Sequence, residues 1–367
     1  MTSSGAFMGM LVLGLVMTSL AGQSYGELEY EYYKDKCSVI AEDQKTGLLS
    51  GLLSPLLPGL FSSPPRKELV DVEDIVAQEV KKAFIYDNSI VAALLRLQFH
   101  DCFVNGCDAS ILLEVKNSEK DAIPNKSVRG YELIDIIKAR LENTCPGVVS
   151  CADIIAMATR DAISLATPYT GNRFSVQTGR KDGFESIGTN ALTELPPPTI
   201  SMQDSINLFS RKGLTITDMV YLLGGHTVGV THCAFIEDRL YNYSSTRKPD
   251  PNMDINLLQT LQSRCPQGLR SNNTIDLDQG PSSSLKVDNS YYNQLLSNKG
   301  ILQVDQDLAS SGLTNTTVEA IAKSSYEEFN RNFAEAIVKL QAVGVLTGTQ
   351  GQIRSSCRAV NAYKPSL

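Results

Sequence analysis

The chain has no tryptophan and only three histidines, His100, His226 and His232. Chemistry that needs an imidazole therefore has three addresses. Positive charge is nowhere concentrated: no Lys or Arg run of motif length occurs, and the formal net charge is -7 with a pI near 5.2. An acidic chain without a basic patch excludes nucleic acid as a partner and offers no grip on an anionic membrane. Long apolar runs are missing too. Phe7 to Leu20 is apolar and sits in a stretch, residues 1–26, without one charged side chain. It is too short to span a bilayer. It ends in small residues near Ala21 and Gly22 and reads as a secretory leader, although the usual basic start is absent.

Strand-like alternation is also scarce, Phe174 to Gln177 being the best case, and no internal repeat is found. Helical periodicity dominates instead. It predicts helices over Val72–Phe84, Ser89–His100, Arg129–Asn143, Cys151–Leu165, Ser201–Lys212, Thr215–Gly225, Tyr291–Leu295 and Thr316–Val343. Thr215 with Asp218 forms a capping-box pattern at the start of one of them. With 42% hydrophobic residues, an all-α domain over 27–367 is expected. Leu195 to Pro198 is a proline-rich turn between the two halves, and Ser282 to Ser284 a small polar loop. Gly47 to Pro65 is Leu-rich but broken by Pro55, Pro58, Pro64 and Pro65, which prevents a continuous helix and favours a loop over a sticky docking surface.

Eight cysteines suit an oxidising compartment, but eight allow 105 pairings, and spacing alone does not choose among them. Asn-x-Ser/Thr sites at Asn242, Asn272 and Asn315 fit the same secretory route.

The densest chemical signal is Arg96-Leu97-Gln98-Phe99-His100-Asp101-Cys102. Arg96 and His100, four apart, share one helix face, and Ala92 and Ala93 one turn earlier leave room for something flat. The next residues, as far as Ser110, offer Asp101, Asp108 and Ser110 as hard oxygen ligands, with Gly106 letting the backbone fold inward. That set suits Ca²⁺. The alternative is a plain polar turn. A second signal is Gly224-Gly225-His226-Thr227-Val228-Gly229, where paired glycines permit close approach of a flat cofactor and the histidine can ligate a metal. His226, His232 and Cys233 suggest zinc as an alternative, but no fourth ligand is spaced to match.

The run from Arg96 to Ser110 and Gly225-His-Thr-Val-Gly229 closely resemble the class III plant secretory peroxidases, the horseradish-peroxidase-like family. Glu119-Lys-Asp, Arg129-Gly130, Val149-Ser-Cys-Ala-Asp153, Leu195-Pro196, Asp288-Asn-Ser-Tyr-Tyr292, Asp305-Gln-Asp-Leu308 and Cys357 add to the likeness, which covers nearly everything from Glu27 onward. The resemblance implies a mainly helical fold with haem b between distal and proximal halves. His100 would be the distal base, Arg96 its charged partner and Phe99 their neighbour. Asn125 would fix the His100 tautomer, with Glu119 in the same network. His226 would hold the iron as the proximal ligand, the part histidine commonly plays in haem peroxidases, and Asp305 would increase its basicity. Asn125 also opens an Asn-Lys-Ser sequon and is expected to be internal and unglycosylated.

By the same resemblance, a distal calcium takes Asp101, Val104, Gly106, Asp108 and Ser110. A proximal one takes Thr227, Asp278, Ser283 and Asp288. Pro196 marks the contact for small phenolic reductants, and the disulfides are Cys37–Cys145, Cys102–Cys107, Cys151–Cys357 and Cys233–Cys265. The expected reaction reduces hydrogen peroxide and oxidises phenols in two one-electron steps. The enzyme is expected to be a secreted monomer of cell wall, apoplast or vacuole, without a transmembrane span. Three features depart from the family: an insertion at about 38–70, a longer Asp278–Asp288 spacing with Lys286 inside it, and Phe174 where tryptophan is common. Lacking tryptophan altogether, the chain has no surface-tryptophan radical route of the kind lignin-degrading fungal peroxidases use.

Overall fold

A computed structural model describes residues 27–41, 66–167, 173–268, 272–280 and 284–362. The leader and the Leu/Pro stretch 47–65 lie outside them, as does Ser283.

Helices carry the architecture. Ser150 caps the Cys151–Ala166 helix by accepting from Asp153 N. Ile154, Ile155, Ala156, Met157 and Ala158 in it are fully buried. A helix buried on nearly every face is central, and the helices Val72–Tyr86, Ile90–Val104 and Tyr131–Thr144 surround it. A second group comprises Ile216–Leu223, Ser290–Leu296, Gln303–Ser310, Asn315–Lys323 and Tyr326–Leu340, packed mainly on one another. The expected mainly helical fold is present.

Several boundaries differ from expectation. The single helix expected over Thr316–Val343 is two, because Ser324 and Ser325 are extended and Ser325 caps the second by accepting from Glu328 N. Phe174–Gln177 forms no strand; beside it only Thr178 bridges, singly, to Glu29. Short helices of mixed composition, Gly188–Glu194, Glu237–Tyr241, Ile255–Arg264 and Gln303–Ser310, were not signalled by periodicity. The Thr215–Asp218 capping box is formed as expected.

Two antiparallel ribbons complete the described residues. Ser38–Ala41 pairs with Arg66–Leu69, Ala41 facing Arg66, so a ribbon closes the base of the insertion. Val230–His232 pairs with Thr274–Asp276 just beyond His226.

All four expected disulfides are formed. Cys233 is thereby committed to Cys265, which removes it from the zinc alternative. Cys151–Cys357 fastens the end of the chain to the central helix across 206 residues. No helix among the described residues is long and apolar enough to cross a membrane.

Candidate active site

The Ile90–Val104 helix presents Arg96 and His100 together, and Arg96 Nε donates to His100 Nε2 at 3.3 Å. On its other edge, His100 Nδ1 lies 2.5 Å from Asn125 Oδ1. The Asn125 amide is oriented by its Nδ2, which donates to the Glu119 carbonyl at 2.8 Å. An amide oxygen only accepts, so Nδ1 carries the proton and Nε2 keeps its lone pair. Burial first, then the Arg96 charge, pushes the His100 pKa down to about 3, against the pull of the Asn125 bond. At any ordinary pH this imidazole is a neutral base.

Arg96 is itself held. Its guanidinium donates to Pro124 O at 2.8 Å and Ser127 Oγ at 3.1 Å. Sequence reasoning missed this role of Ser127, seeing only the third residue of a sequon. Asn125 is 1% exposed and engaged at both ends of its amide, which leaves no room for a glycan there. Phe99 stacks on Phe103 at 4.3 Å between ring centroids and stands edge-on to His100.

His226 lies on the short turn Gly224–Thr227, which packs against the Ile90–Val104 helix. Its Nδ1 is 2.7 Å from Asp305 Oδ1, so the proton sits on that side and Nε2 is free to ligate. Burial opposes the charged form, but the Asp305 carboxylate outweighs it and raises the His226 pKa, with Arg96 pulling it back down. The turn bearing His226 thus lies against the helix bearing Arg96 and His100. His226 keeps 31% of its side-chain surface open although it lies deep in the molecule. These donors suit haem iron: an imidazole held at Nδ1 by a carboxylate on one side, and a neutral base with its neighbouring guanidinium on the other.

The small residues here serve packing as well as space. A Cβ on Gly224 would collide with Tyr292 Oη, whereas one on Gly225 would meet nothing within 4 Å. Of this pair, Gly225 is the one that opens onto free volume. A Cβ on Gly229 would come within 2.8 Å of Ala92 Cβ, so Ala92 is small because a strand of backbone passes it.

The loop after His100 gathers oxygens. Asp101 Oδ1 and Ser110 Oγ are buried without a hydrogen-bond partner, as is Glu119 Oε2. Asp108 accepts from Ser110 N and Asp101 from Ala109 N. Burial, then Asp108 and Glu119, hold Asp101 far above the carboxylate range, and burial raises Asp108. Glu119 is pushed to about 8, chiefly by burial. Buried carboxylates crowded in this way want a cation. No cluster of three or more His, Cys, Asp or Glu among the described residues is spaced to hold a metal. The loop offers two carboxylates, a hydroxyl and carbonyls, a donor set that suits Ca²⁺. Val104 O accepts from Lys212 Nζ at 3.4 Å and Gly106 O from Asp108 N at 2.8 Å. Gly106, at φ +109°, lets Gly344 backbone come within van der Waals contact; the close approach, missed from sequence, requires glycine as much as any ligand does.

On the other side Thr227 Oγ1 lies 3.1 Å from Lys286 O and 3.5 Å from Asp278 Oδ2. Ser290 Oγ donates to Asp278 Oδ2, a partner the sequence did not suggest. Burial raises the Asp288 pKa, and Asp278 adds to it. Pro196 is half-buried after the Gly188–Glu194 helix, which packs on the Ile90–Val104 helix and on the turn bearing Asn125.

The chain belongs to the plant class III peroxidase family. A family model described as Peroxidase matches residues 76–324. Peroxidase 60 of Arabidopsis thaliana is 42% identical over 350 residues, 95% of this chain and 95% of that protein. Peroxidase 57 of the same plant is 46% identical, over 79% of this chain and 88% of its own. Peroxidase N of Armoracia rusticana is 42% identical, over 86% and 94%. The protein is an enzyme that uses hydrogen peroxide to oxidise reductant substrates, with the haem cofactor of its family.

Proposed function

We propose that the protein is a secreted, calcium-binding haem b peroxidase whose donors are small phenols. The observation that carries this reading is the pair of imidazoles that share one tautomer but have different Nδ1 partners, an amide oxygen and a carboxylate. His100 turns a neutral Nε2 inward beside Arg96, and His226 keeps its Nε2 free while Asp305 holds Nδ1.

His226 would hold haem iron, and bound haem would supply the site at which peroxide is split and the two oxidising equivalents are kept. His100 Nε2 accepts a proton from peroxide and returns it to the departing oxygen. A pKa near 3 keeps it ready for that task. Arg96, fixed by Pro124 and Ser127, stabilises the negative charge on the departing oxygen, where a planar guanidinium holds its geometry better than lysine. Asp305 pulls on the Nδ1 proton and makes His226 the stronger electron donor. Two phenol molecules then each give one electron and one proton near Pro196, so that peroxide leaves as water.

Asp101, Val104, Gly106, Asp108 and Ser110 are proposed to hold one Ca²⁺, supported by the orphaned oxygens of Asp101 and Ser110. Thr227, Asp278, Asp288 and Ser283 are the residues proposed for a second. Residues 1–26 are proposed as a leader that sends a monomer to cell wall, apoplast or vacuole.

Purified haem-loaded protein tests the reading. It should show a ferric Soret band and oxidise guaiacol only with peroxide. His100→Ala should keep the band yet slow peroxide consumption by roughly 10²–10⁴-fold, the range for general acid–base catalysis. An unchanged rate removes His100 from the chemistry, and kinetics across a panel of phenols would identify the preferred donor.

A further inference from the structure

Asp305 Oδ1 accepts two hydrogen bonds at once: from His226 Nδ1 at 2.7 Å and from Tyr291 Oη at 2.9 Å. Its Oδ2 takes the Leu302 backbone N–H at 3.3 Å. Asp305 and Tyr291 are 0% and 1% exposed, so no solvent competes for that oxygen. The Tyr291 ring stands edge-on to His226, with centroids 6.4 Å apart. Neighbouring Tyr292 does something else: its hydroxyl donates to Val220 O at 2.9 Å. Tyr291 is thus the one of the pair directed at the carboxylate. Burial and Asp305 keep its phenol far above the ordinary range, so it acts there only as a donor.

Two donors on one carboxylate oxygen share its negative charge, and each weakens the other's hold. We propose that Tyr291 is a positioning residue. By donating to the oxygen that holds the His226 Nδ1 proton, it limits how strongly Asp305 draws that proton and so sets how much electron density His226 Nε2 gives to iron. This rests on His226 being the iron ligand.

The test compares haem-loaded wild type, Tyr291→Phe and Asp305→Asn by ferric/ferrous midpoint potential and by the iron–histidine stretch of the ferrous protein in resonance Raman. With its competitor gone, Asp305 should pull harder in Tyr291→Phe. The ferric form should be favoured about tenfold, the low end for outer-shell partners, which is about 59 mV lower for one electron, and the stretch should move up. Asp305→Asn should move both the opposite way. 3-Fluorotyrosine placed at position 291 alone, a stronger donor of nearly the same size, should also move both opposite to Tyr291→Phe. It decides the question if the phenylalanine variant folds poorly. If Asp305→Asn shifts both readouts while neither change at 291 does, the proposal is overturned and the His226 reading survives. If none of the variants shifts either readout, both fall.

Discussion

The structure holds two enclosed histidines that differ in the partner of Nδ1, and the difference predicts the effect of a single-atom change. His100 faces an amide oxygen and is pushed to about 3. His226 faces a carboxylate and is raised above its ordinary value. Asn125→Asp gives His100 the partner that His226 already has. A neutral base is lost when it takes a proton, so the acid limb of the peroxide reaction lies near the base's own pKa. That limb should move up by about three pH units, equivalent to about 4 kcal/mol of added preference for the charged form. Arg96, which opposes the charge on His100 second only to burial, keeps the shift from being larger. At pH 5 the variant should react with peroxide about tenfold more slowly, because most of its His100 is charged. At pH 8 it should come within a few-fold of wild type. Stopped-flow measurement at the Soret band between pH 3 and 9 reads both limbs. A variant whose acid limb stays where the wild type has it refutes the argument that the amide partner keeps His100 neutral.

Replacing the other imidazole, His226→Ala, should abolish the native Soret spectrum and weaken haem binding by at least the 10–100-fold seen when mere outer-shell partners are lost; an unaltered spectrum contradicts its role. Chelating calcium should lower the Tm more at pH 8 than at pH 5, because the unneutralised Glu119, raised to about 8, costs stability increasingly as pH climbs from its ordinary value toward 8. Added Ca²⁺ should restore the Tm, and calorimetry that finds no change excludes the distal site. Replacing Cys151 and Cys357 together by alanine frees a chain separation of 206 residues and should cost about 5 kcal/mol on the loop-entropy model. Urea unfolding would show it, and a loss under 1 kcal/mol would mean that the unfolded chain is already compact.

The distal half was legible because its chemistry is local. Arg96 and His100 lie one helical turn apart, and the ligand loop follows within ten residues, so motif and geometry coincide. The proximal pair was legible only through resemblance, since His226 and Asp305 are 79 residues apart and no local pattern joins them. Ser127 and Tyr291 escaped notice for a related reason. A serine hydroxyl and a tyrosine hydroxyl announce no chemistry until the chain places them against Arg96 and Asp305. The break at Ser324–Ser325 went unseen because the apolar period continues across it, while the Ser325 cap overrides the period. Gly224 and Gly225 read as room for a flat cofactor and Gly106 as a fold of the backbone, whereas the structure brings Tyr292 to Gly224, Ala92 to Gly229 and Gly344 to Gly106.

The loop proposed to hold calcium and the base are not separate devices. Asp101 follows His100 directly on the same helix, and Glu119 joins both ends. Its backbone carbonyl orients Asn125, and its carboxylate accepts from Asn105 at 3.1 Å and has one oxygen buried without a partner. Its backbone N–H is tied to Ser186 Oγ. In the proposed reading, a cation held by Asp101, Asp108 and Ser110 would relieve the repulsion among Asp101, Asp108 and Glu119 and fix the turn from Glu119 to Asn125 that aims the amide at His100. Losing the cation would then disturb proton transfer as well as stability. The rate of reaction with peroxide should fall before the fold melts, because a hydrogen bond that sets a tautomer tolerates less displacement than a hydrophobic core does.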